Sequence, residues 1–357
     1  MAEAGPVTPG LEEFLEKSRS LEGKRLADSI PEEYFEPQVG RGLLGFLLSA
    51  GVYVGSVTGI LLIPQWPLWI PLWITAGLGG WGLHCIAHDC GHGSFSRSRR
   101  FNVLVGGIAL IPLFYPFHSW RHVHNMHHAH TNDIELDTDW RPLPPHLYDK
   151  LSPVGKLVYA GTRTWAFWGG TIRYWLLSGF RPTFFPKASM RREVRHSIVF
   201  TLVVGTVYLG TLVLVAGPWA LLTAFLAPWL ATHLWFSATT LMHHSANDLP
   251  FLDSRHWTRN AGKLLMTTDY TYPKPLRVLT HNISIHSPHH VAPAIPFYRL
   301  PQAQEALKQA HPGMVRERKF TPAAFWRILK DLHLHDAEQG GFYQDFQRRP
   351  IPPGQDS

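Results

Sequence analysis

The residues best suited to chemistry in this sequence are histidines, and they are gathered in clusters. The segment HVHNMHHAH at residues 122–130 contains five of them. Within it, His124, His127 and His128 have the spacing i, i+3, i+4, which places three imidazoles on one face of a helix. The segment HSPHH at residues 286–290 repeats this spacing. Because neutral imidazole is a common ligand of transition metals, both segments predict metal binding.

Two further groups of histidines lie at the ends of apolar segments. His88 and His92 in HDCGH are four residues apart and share a helical face, and His243 and His244 follow the last apolar segment. The three histidine boxes are residues 88–92, 124–128 and 286–290. Eight imidazoles from the boxes, with one more from the 243–244 pair, exceed one tetrahedral zinc site and suit two metal ions. Ligation by imidazole alone favours zinc, iron or copper over magnesium or calcium.

Four apolar segments must position these histidines. Each is at least about 30 Å long as a helix, which matches the hydrocarbon thickness of a bilayer. The predicted membrane spans are residues 42–63, 66–87, 197–217 and 219–242. The predicted fold class is therefore an all-α integral membrane protein with four transmembrane helices, interfacial or re-entrant helices and a cytosolic His-rich cap. We expect a cytosolic N-terminal segment at 1–41, a membrane domain at 42–335 and a loosely ordered tail at 336–357.

The distribution of charge supports membrane insertion and indicates its direction. The chain has 357 residues and a formal net charge of +7, yet none of its 33 lysines and arginines lies within 42–87 or 196–254. Because cytosolic loops carry the excess of positive charge, both termini and the histidine boxes are expected in the cytosol. No nucleic-acid motif accompanies the basic excess, so nucleic acid is not an expected partner. Cys85 and Cys90 are expected to be reduced thiols.

Two shorter apolar segments are predicted not to cross the membrane. Residues 101–117 contain Pro112 and Pro116 and lie between two histidine boxes. If this segment crossed, the boxes would lie on opposite faces, so we expect it to dip into the bilayer or lie along it. Residues 164–180 mix aromatic side chains with Arg173 and are predicted to lie at the membrane interface.

The remaining histidines are expected to have ordinary structural roles. His84 shares a helical face with His88 but lies deeper in the predicted span, so we expect it beside the ligands rather than among them. His122 and His130 flank the second box and are expected beside the ligands or at the surface. The others are expected to be hydrogen-bonded core or surface residues: His118, His146, His196, His233, His256, His333 and His335.

Four segments carry a resemblance to a known family. They read HDCGHGSF, WRHVHNMHHAHTN, HNISIHSPHHVAPAIPFYRL and MHHSANDLPF. In these segments the chain resembles the integral-membrane fatty-acid desaturases, in particular the acyl-lipid branch that includes delta-12 and omega-3 enzymes. The resemblance covers about residues 20–310, and the three boxes in this order are highly specific for that family. By its distance from the following LP, His244 matches the family segment better than His243.

The resemblance implies two non-haem iron ions held by histidines. The nine implied ligands are His88, His92, His124, His127, His128, His244, His286, His289 and His290. By their proximity, Asp89, Asn125 and Asn282 are further expected to orient imidazoles, since a ligating histidine usually donates its other N–H.

The resemblance also implies the reaction and its partners. Such an enzyme uses O2 and two electrons to remove two hydrogens from a fatty acyl chain; lipid, coenzyme A and a carrier protein all remain open as the carrier of that chain. The sequence contains no cysteine cluster that could bind an iron–sulfur centre, so an external donor such as ferredoxin or cytochrome b5 is expected. Loop arginines are candidates for docking it, although such loops also follow from membrane topology alone: Arg97, Arg99, Arg100, Arg191, Arg192 and Arg195. A bacterial inner membrane is favoured over the endoplasmic reticulum.

Two alternative functions remain open from the sequence. Acyl hydroxylases, acetylenases and carotenoid oxygenases share the histidine boxes, and the flanking residues favour desaturation over these. A histidine-lined metal transporter or zinc-dependent membrane receptor is a more remote alternative. Transport requires ligands along a path through the bilayer, whereas the predicted topology gathers these histidines at one face.

Overall fold

The computed structural model describes residues 8–338 and 340–351, and within them the chain is predominantly helical. In chain order the helices are α1 (Pro9–Ser20), α2 (Val39–Leu62), α3 (Trp69–His92), α4 (Arg99–Ala109), α5 (Phe117–Ala129), α6 (Pro145–Asp149), α7 (Pro153–Arg163), α8 (Gly169–Tyr174), α9 (Ala188–Ala216), α10 (Ala227–His244), α11 (Arg259–Leu264), α12 (Lys274–Leu279), α13 (Ser287–Val291), α14 (Leu300–Ala310) and α15 (Pro322–Asp331). The strands are β1 (Asp269–Thr271), β2 (Glu317–Lys319), β3 (Leu334–Asp336) and β4 (Phe342–Gln344).

Four of the described helices are long and apolar enough to span a membrane, which confirms the predicted all-α membrane fold. The candidate spans are Val39–Leu62, Trp66–His92, Ala188–Ala216 and Leu221–His244. The predicted spans identify the same four segments but end too early at α3, which continues past Ala87 to His92. The apolar pattern stops at Ala87 because His88 and Asp89 are polar, but both side chains are buried against other parts of the protein.

Helix α3 lies at the centre of the membrane domain. About 61% of its span is buried within the protein, compared with 17% for α9. Small residues allow its neighbours to approach closely: a Cβ atom on Gly77 would lie 2.6 Å from the carbonyl carbon of Ala231 in α10. A Cβ atom on Gly79 would lie 2.6 Å from the backbone nitrogen of Tyr53 in α2. Close backbone packing of this kind is characteristic of helices within membranes.

The segment predicted to dip into the membrane is broken, as its prolines suggest. Helix α4 has 11 residues and ends at Ala109, and a short 3₁₀ turn over Ile111–Leu113 follows. Phe114 then adopts a left-handed conformation with φ of 50°, and α5 begins after Pro116. A helix of this length extends about 16 Å, which is too short to cross a bilayer. The first and second histidine boxes therefore lie on the same side of the membrane domain.

The remaining helices and strands form a cap over the histidine-bearing ends of the membrane helices. Strands β1 and β2 pair in parallel, with Asp269 opposite Glu317, and β3 and β4 pair antiparallel. A cap core includes Leu249, Leu264 and Leu307, and it also contains Leu11 and Phe14 of α1. The N-terminal helix is thus packed onto the cap.

The tail is more ordered than the sequence suggests. Phe342–Gln344 forms β4, and Tyr343 is fully buried in a core with Phe251 and Tyr270. The polar, proline-rich composition of residues 336–357 hides this strand because it is only three residues long. In the described parts of the tail, 336–338 and 340–351, Phe342–Gln344 thus form an ordered strand, whereas residues 339 and 352–357 lie outside the described part of the chain.

Candidate metal centre

Four helices bring the predicted ligands together. The last turn of α3 carries His88 and His92, and the helix ends at Gly93, whose φ of 77° is a left-handed conformation that glycine adopts without strain. Helix α5 carries the second box, and α10 ends with His244. His286 caps the short helix α13, which carries the other histidines of the third box and has Pro288 in its first turn, as expected.

Five imidazoles form the first of two groups, which we call cluster A. Its members are His88, His92, His124, His128 and His289, and one ring nitrogen of each lies within 4.8 Å of those of the others. The Nε2 atom of His128 lies 3.0 Å from the Nε2 atoms of both His124 and His289. Residues from three separate helices, α3, α5 and α13, therefore share one small space.

Four imidazoles form the second group, which we call cluster B. Ring nitrogens of His127, His244 and His290 lie within 4.8 Å of one another. The Nε2 atom of His286 lies 3.1 Å from that of His244 and 3.0 Å from that of His290. The nine residues implied by the family resemblance are thus the members of clusters A and B.

The two clusters adjoin each other. The rings of His128 in cluster A and His290 in cluster B are stacked with centroids 4.2 Å apart. His127 and His128, which are neighbours in α5, point into different clusters with their ring centroids 5.7 Å apart. The arrangement is therefore one centre with two compartments rather than two distant sites.

The tautomers of cluster B favour a bound cation. The Nδ1–H groups of His127 and His244 donate to the Asp137 carboxylate at 2.8 Å and the Met266 carbonyl at 3.4 Å. Because each of these rings then carries a lone pair on Nε2, the two lone pairs face each other across 3.1 Å. Such an arrangement is repulsive unless a proton or a metal ion lies between the nitrogens.

Cluster A gives the same indication through nitrogens that lack a partner. Both ring nitrogens of His88 and the Nε2 atom of His92 are buried. None of these three atoms has a hydrogen-bond partner among the described residues. A buried polar atom without a partner is costly, and coordination to a metal removes that cost. The residues of both clusters therefore fit transition-metal ions held by neutral imidazoles.

Burial keeps most of these rings in the neutral form that binds metal. The pKa values of His124, His128, His289 and His290 are held well below their usual range by burial and by the neighbouring imidazoles. For His127, burial lowers the pKa, but the Asp137 carboxylate outweighs burial and the pKa is raised. His127 is therefore the ring in α5 that binds a proton most readily.

Two buried carboxylates position the histidines, and no sequence pattern identified them. Asp137 accepts from His127 and also from the backbone N–H of Asn132. Asp269 accepts from the backbone N–H groups of His286 and Ser287 and so caps α13. Burial raises the pKa of Asp269 to about 6, against the opposing effect of these hydrogen bonds. Neither residue has a regular spacing from its histidine, so periodicity did not reveal them.

The residues expected to orient imidazoles behave differently from the prediction. The Asp89 carboxylate is 4.0 Å from His88 Nδ1, but it accepts the backbone N–H of Phe297. Asn125 is exposed, and Asn282 donates to the Phe297 carbonyl oxygen, so neither orients a ring. Proximity in sequence is a poor guide here because Asn125, although next to His124 in the chain, points to the exposed side of α5.

Other histidines have mostly the structural roles expected of them. His84 is buried and stacks on Trp81 with ring centroids 4.8 Å apart, outside both clusters. His122 pairs with Glu193 at 3.0 Å, and His233 is hydrogen-bonded to Thr171. His243 is fully buried beside cluster B but is not a member of it.

A cavity of about 60 Å³ adjoins both clusters. Its walls include the rings of Trp81, Trp120 and Phe236 together with cluster residues. On another side it is lined by Tyr174 of α8 and by Asp139, whose pKa burial raises to about 6. A slender apolar group in this cavity would lie directly against the imidazoles.

Comparison with known proteins is consistent with this geometry. The family model for fatty acid desaturases matches residues 64–321. The chain is 36% identical to the sn-1 oleoyl-lipid 12-desaturase of Picosynechococcus sp. over 93% of this chain and 95% of that protein. It is 34% identical to the enzyme of the same description from Synechocystis sp., over 87% of this chain and 88% of the relative. The chloroplastic omega-6 fatty acid desaturase of Arabidopsis thaliana is 32% identical, over 91% of this chain and 71% of that protein.

Proposed function

This chain belongs to the fatty acid desaturase family and is an oxidoreductase that desaturates fatty acyl chains, and we propose that it acts at carbon 12 of an oleoyl chain carried on a membrane lipid. The position and the carrier are suggested by the relatives in Picosynechococcus and Synechocystis, which are described as oleoyl-lipid 12-desaturases and match nearly the whole chain. The observation that carries the chemistry is the convergence of nine imidazoles beside a cavity with aromatic walls.

We further propose that clusters A and B each hold one iron ion. Breaking an unactivated C–H bond is beyond any side chain, and bound iron supplies the O2 activation that this step requires. The reaction balances when one CH2–CH2 unit, O2, two electrons and two protons give one CH=CH unit and two molecules of water. Five ring nitrogens in cluster A and four in cluster B are available as ligands.

The protein's own residues hold, orient and shield this centre. Asp137 fixes the tautomer of His127, and Asp269 holds the backbone of His286 in place. Trp120 stacks on His124 with ring centroids 4.9 Å apart and, with Trp81 and Phe236, keeps water away from that side of the cavity. A short stretch of the acyl chain would lie in this cavity, with one C–C bond against the imidazoles.

The location and the remaining partners follow from the same proposal. Both termini and the metal centre are placed at the cytosolic face, since the loops on that side carry the basic residues. A bacterial inner membrane is preferred to the endoplasmic reticulum. Electrons come from an external one-electron carrier, ferredoxin or cytochrome b5.

Expression in a bacterial host that contains oleoyl lipids and a reduced ferredoxin system tests the function. Fatty-acid profiling with localisation of double bonds should show a new double bond at carbon 12. His127→Ala and His289→Ala should abolish it, whereas His146→Ala, which changes an exposed histidine outside both clusters, should retain it. A product that has gained an oxygen atom would identify a hydroxylase, and unchanged activity of the two cluster variants would refute the metal centre.

A further inference from the structure

His243 is a buried histidine that belongs to neither cluster but touches one of them. It is fully buried at the end of α10. Its Nδ1–H group donates to the Thr268 carbonyl at 2.7 Å, which fixes the orientation of the ring. The ring lies almost parallel to that of His286 in cluster B, with centroids 4.2 Å apart and an interplanar angle of 22°. His243 thus stacks on the outer side of a proposed ligand.

Tyr270 extends this contact towards the surface of the cap. Its ring centroid lies 5.9 Å from that of His243. Tyr270 is only 2% exposed, but it lines a surface groove of about 1,040 Å³ formed between α1, β2 and α15. Arg318, on the wall of the groove, lies beside Tyr270. A continuous series of rings, Tyr270, His243 and His286, therefore connects the groove with cluster B.

The reaction requires electrons to reach the buried metal centre from a carrier outside it. Each turnover consumes two electrons, and the third histidine box is at most 4% exposed, so a carrier protein cannot touch its rings directly. Electron tunnelling becomes steeply slower as the gap between donor and acceptor widens. A route through aromatic rings in contact divides the distance from the groove to the centre into short intervals.

We propose that a soluble one-electron carrier protein docks in the groove between α1, β2 and α15, and that its electrons reach cluster B through Tyr270 and His243. This proposal rests on the proposed desaturase function and adds to it the place where the carrier binds. In each transfer the carrier loses one electron and the metal centre gains one, and two such transfers supply one turnover.

Five basic and four acidic side chains line the groove, and the exposed basic ones can pair with an acidic patch on the carrier. Three of the four residues at 316–319 are basic, and Lys319 and Arg327 are exposed at the rim. Asp248 pairs with Arg316 at 3.0 Å and with Arg318 at 2.8 Å, which holds this wall of the groove in one conformation. Complementary rim charges of this kind accelerate the association of two proteins.

The arginine-rich loops are the alternative docking surface, and because ion pairs occur on both surfaces, the choice of the groove rests on the rings of Tyr270 and His243 that lead from it. The Arg97 guanidinium is paired with Glu36, and that of Arg99 is paired with Glu193. Part of their charge is therefore neutralised within the protein. These loops supply the control for the experiment, because Arg97 and Arg100 are exposed, as Lys319 and Arg327 of the groove are.

The route is tested by measuring how fast the iron-loaded protein oxidises a reduced [2Fe–2S] ferredoxin under anaerobic conditions, by stopped-flow absorbance. Tyr270→Leu and His243→Leu should slow this electron transfer roughly tenfold or more, as removal of groups behind metal ligands commonly does. Tyr270→Phe and His243→Phe, which keep an aromatic ring, should retain most of the rate. Reduction by dithionite, which diffuses to the centre without docking, should be unchanged in all four variants, and iron content should stay equal to that of the wild type.

The docking surface is tested by charge reversal. Lys319→Glu with Arg327→Glu should raise the KM for ferredoxin about tenfold at low salt and leave kcat nearly unchanged. The control pair Arg97→Glu with Arg100→Glu should change the KM much less. The proposal is overturned if the leucine variants accept electrons at the wild-type rate, or if the loop pair weakens ferredoxin binding while the groove pair does not. Product formation by wild-type protein that is reduced with dithionite, separated from the excess reductant and then given O2 tests the desaturase function separately, so a failed route does not count against it.

Discussion

His127 and His290 of cluster B are each oriented by contacts to both of their ring nitrogens. In His127 one nitrogen faces cluster B, and the other donates to Asp137. In His290 the Nδ1 atom lies 3.2 Å from Thr131 Oγ1, whose own hydroxyl donates to the His127 carbonyl. Partners of this kind fix the tautomer and the ring plane before a metal binds, which strengthens ligation. The carboxylate behind His127 is therefore as much a part of the centre as the ring itself.

Asp137→Ala should weaken iron binding in cluster B by about 10- to 100-fold, since His127 loses the acceptor that fixes its tautomer. The measurement is iron retained per chain after equilibration with graded concentrations of a chelator. Asp149→Ala, which removes an exposed carboxylate that pairs with Arg348, is the matched control and should retain iron as the wild type does. Equal retention by both variants would contradict the role assigned to Asp137.

Acidification should release iron in two stages, with cluster B losing its metal first. A proton competes with a metal for a ring nitrogen, and the ring with a raised pKa binds that proton at a higher pH. The pKa of His127 is raised by Asp137, whereas the pKa values of His124, His128 and His289 in cluster A are lowered by burial. Iron content measured across a descending pH series should therefore show a first step that removes half of the metal. Simultaneous loss of both ions would contradict this order.

Some residues of the metal centre could be predicted from the sequence, and others could not. The spacing i, i+3, i+4 identified the ring faces of α5 correctly because that spacing follows from helix geometry alone. Asp269 lies 17 residues before His286, with a strand and a short helix between them, and no local periodicity connects the two. Contacts of this kind depend on the packing of the cap, which the sequence pattern does not display.

At the scale of elements, the centre depends on the close approach of α3 and α10. These helices carry His88, His92 and His244, and their backbones meet at Gly77 and Ala231. Hydropathy predicted both spans because twenty apolar residues are sufficient to identify a membrane helix. It did not predict which helices touch, because the glycines that permit contact contribute little to an apolar pattern.

Gly77→Val should separate α3 from α10, destabilise the protein and disturb iron binding. A Cβ atom at this position would lie 2.6 Å from the Ala231 backbone, and overpacking of this kind costs about 1–3 kcal/mol. Gly51→Val on α2 is the matched control, since a Cβ atom there meets no atom within 4 Å. The melting temperature and iron content of both variants in detergent provide the measurement. If Gly77→Val melted at the same temperature as Gly51→Val, the tight crossing would be wrong.

At the scale of the whole molecule, four spans bring histidines that are far apart in sequence to one end of the membrane domain. The break at Phe114 is essential, because it returns the chain to the same side between the first and second boxes. The positions of Pro112 and Pro116 allowed this turn to be predicted. The parallel pairing of β1 with β2, which builds the groove beside Tyr270, was not predictable, since it joins segments almost fifty residues apart.

Labelling of single cysteines should establish the direction of insertion. The native Cys85 and Cys90 are buried, so they should react little with a membrane-impermeant thiol reagent. In intact cells such a reagent should label Gln65→Cys, which lies in the exposed turn between the first two spans. Ser152→Cys, which is exposed next to α7 on the side of the cap, should react only after the cells are permeabilised. The opposite labelling pattern would place the centre outside the cytosol.

The central claim is that nine imidazoles from four helices hold two iron ions in one centre. Anomalous difference density collected at the iron absorption edge from crystals of the purified protein tests this claim directly. Two iron peaks should appear, one surrounded by the five rings of cluster A and the other by the four rings of cluster B. A single peak, peaks away from both clusters, or a signal at the zinc edge alone would contradict the account.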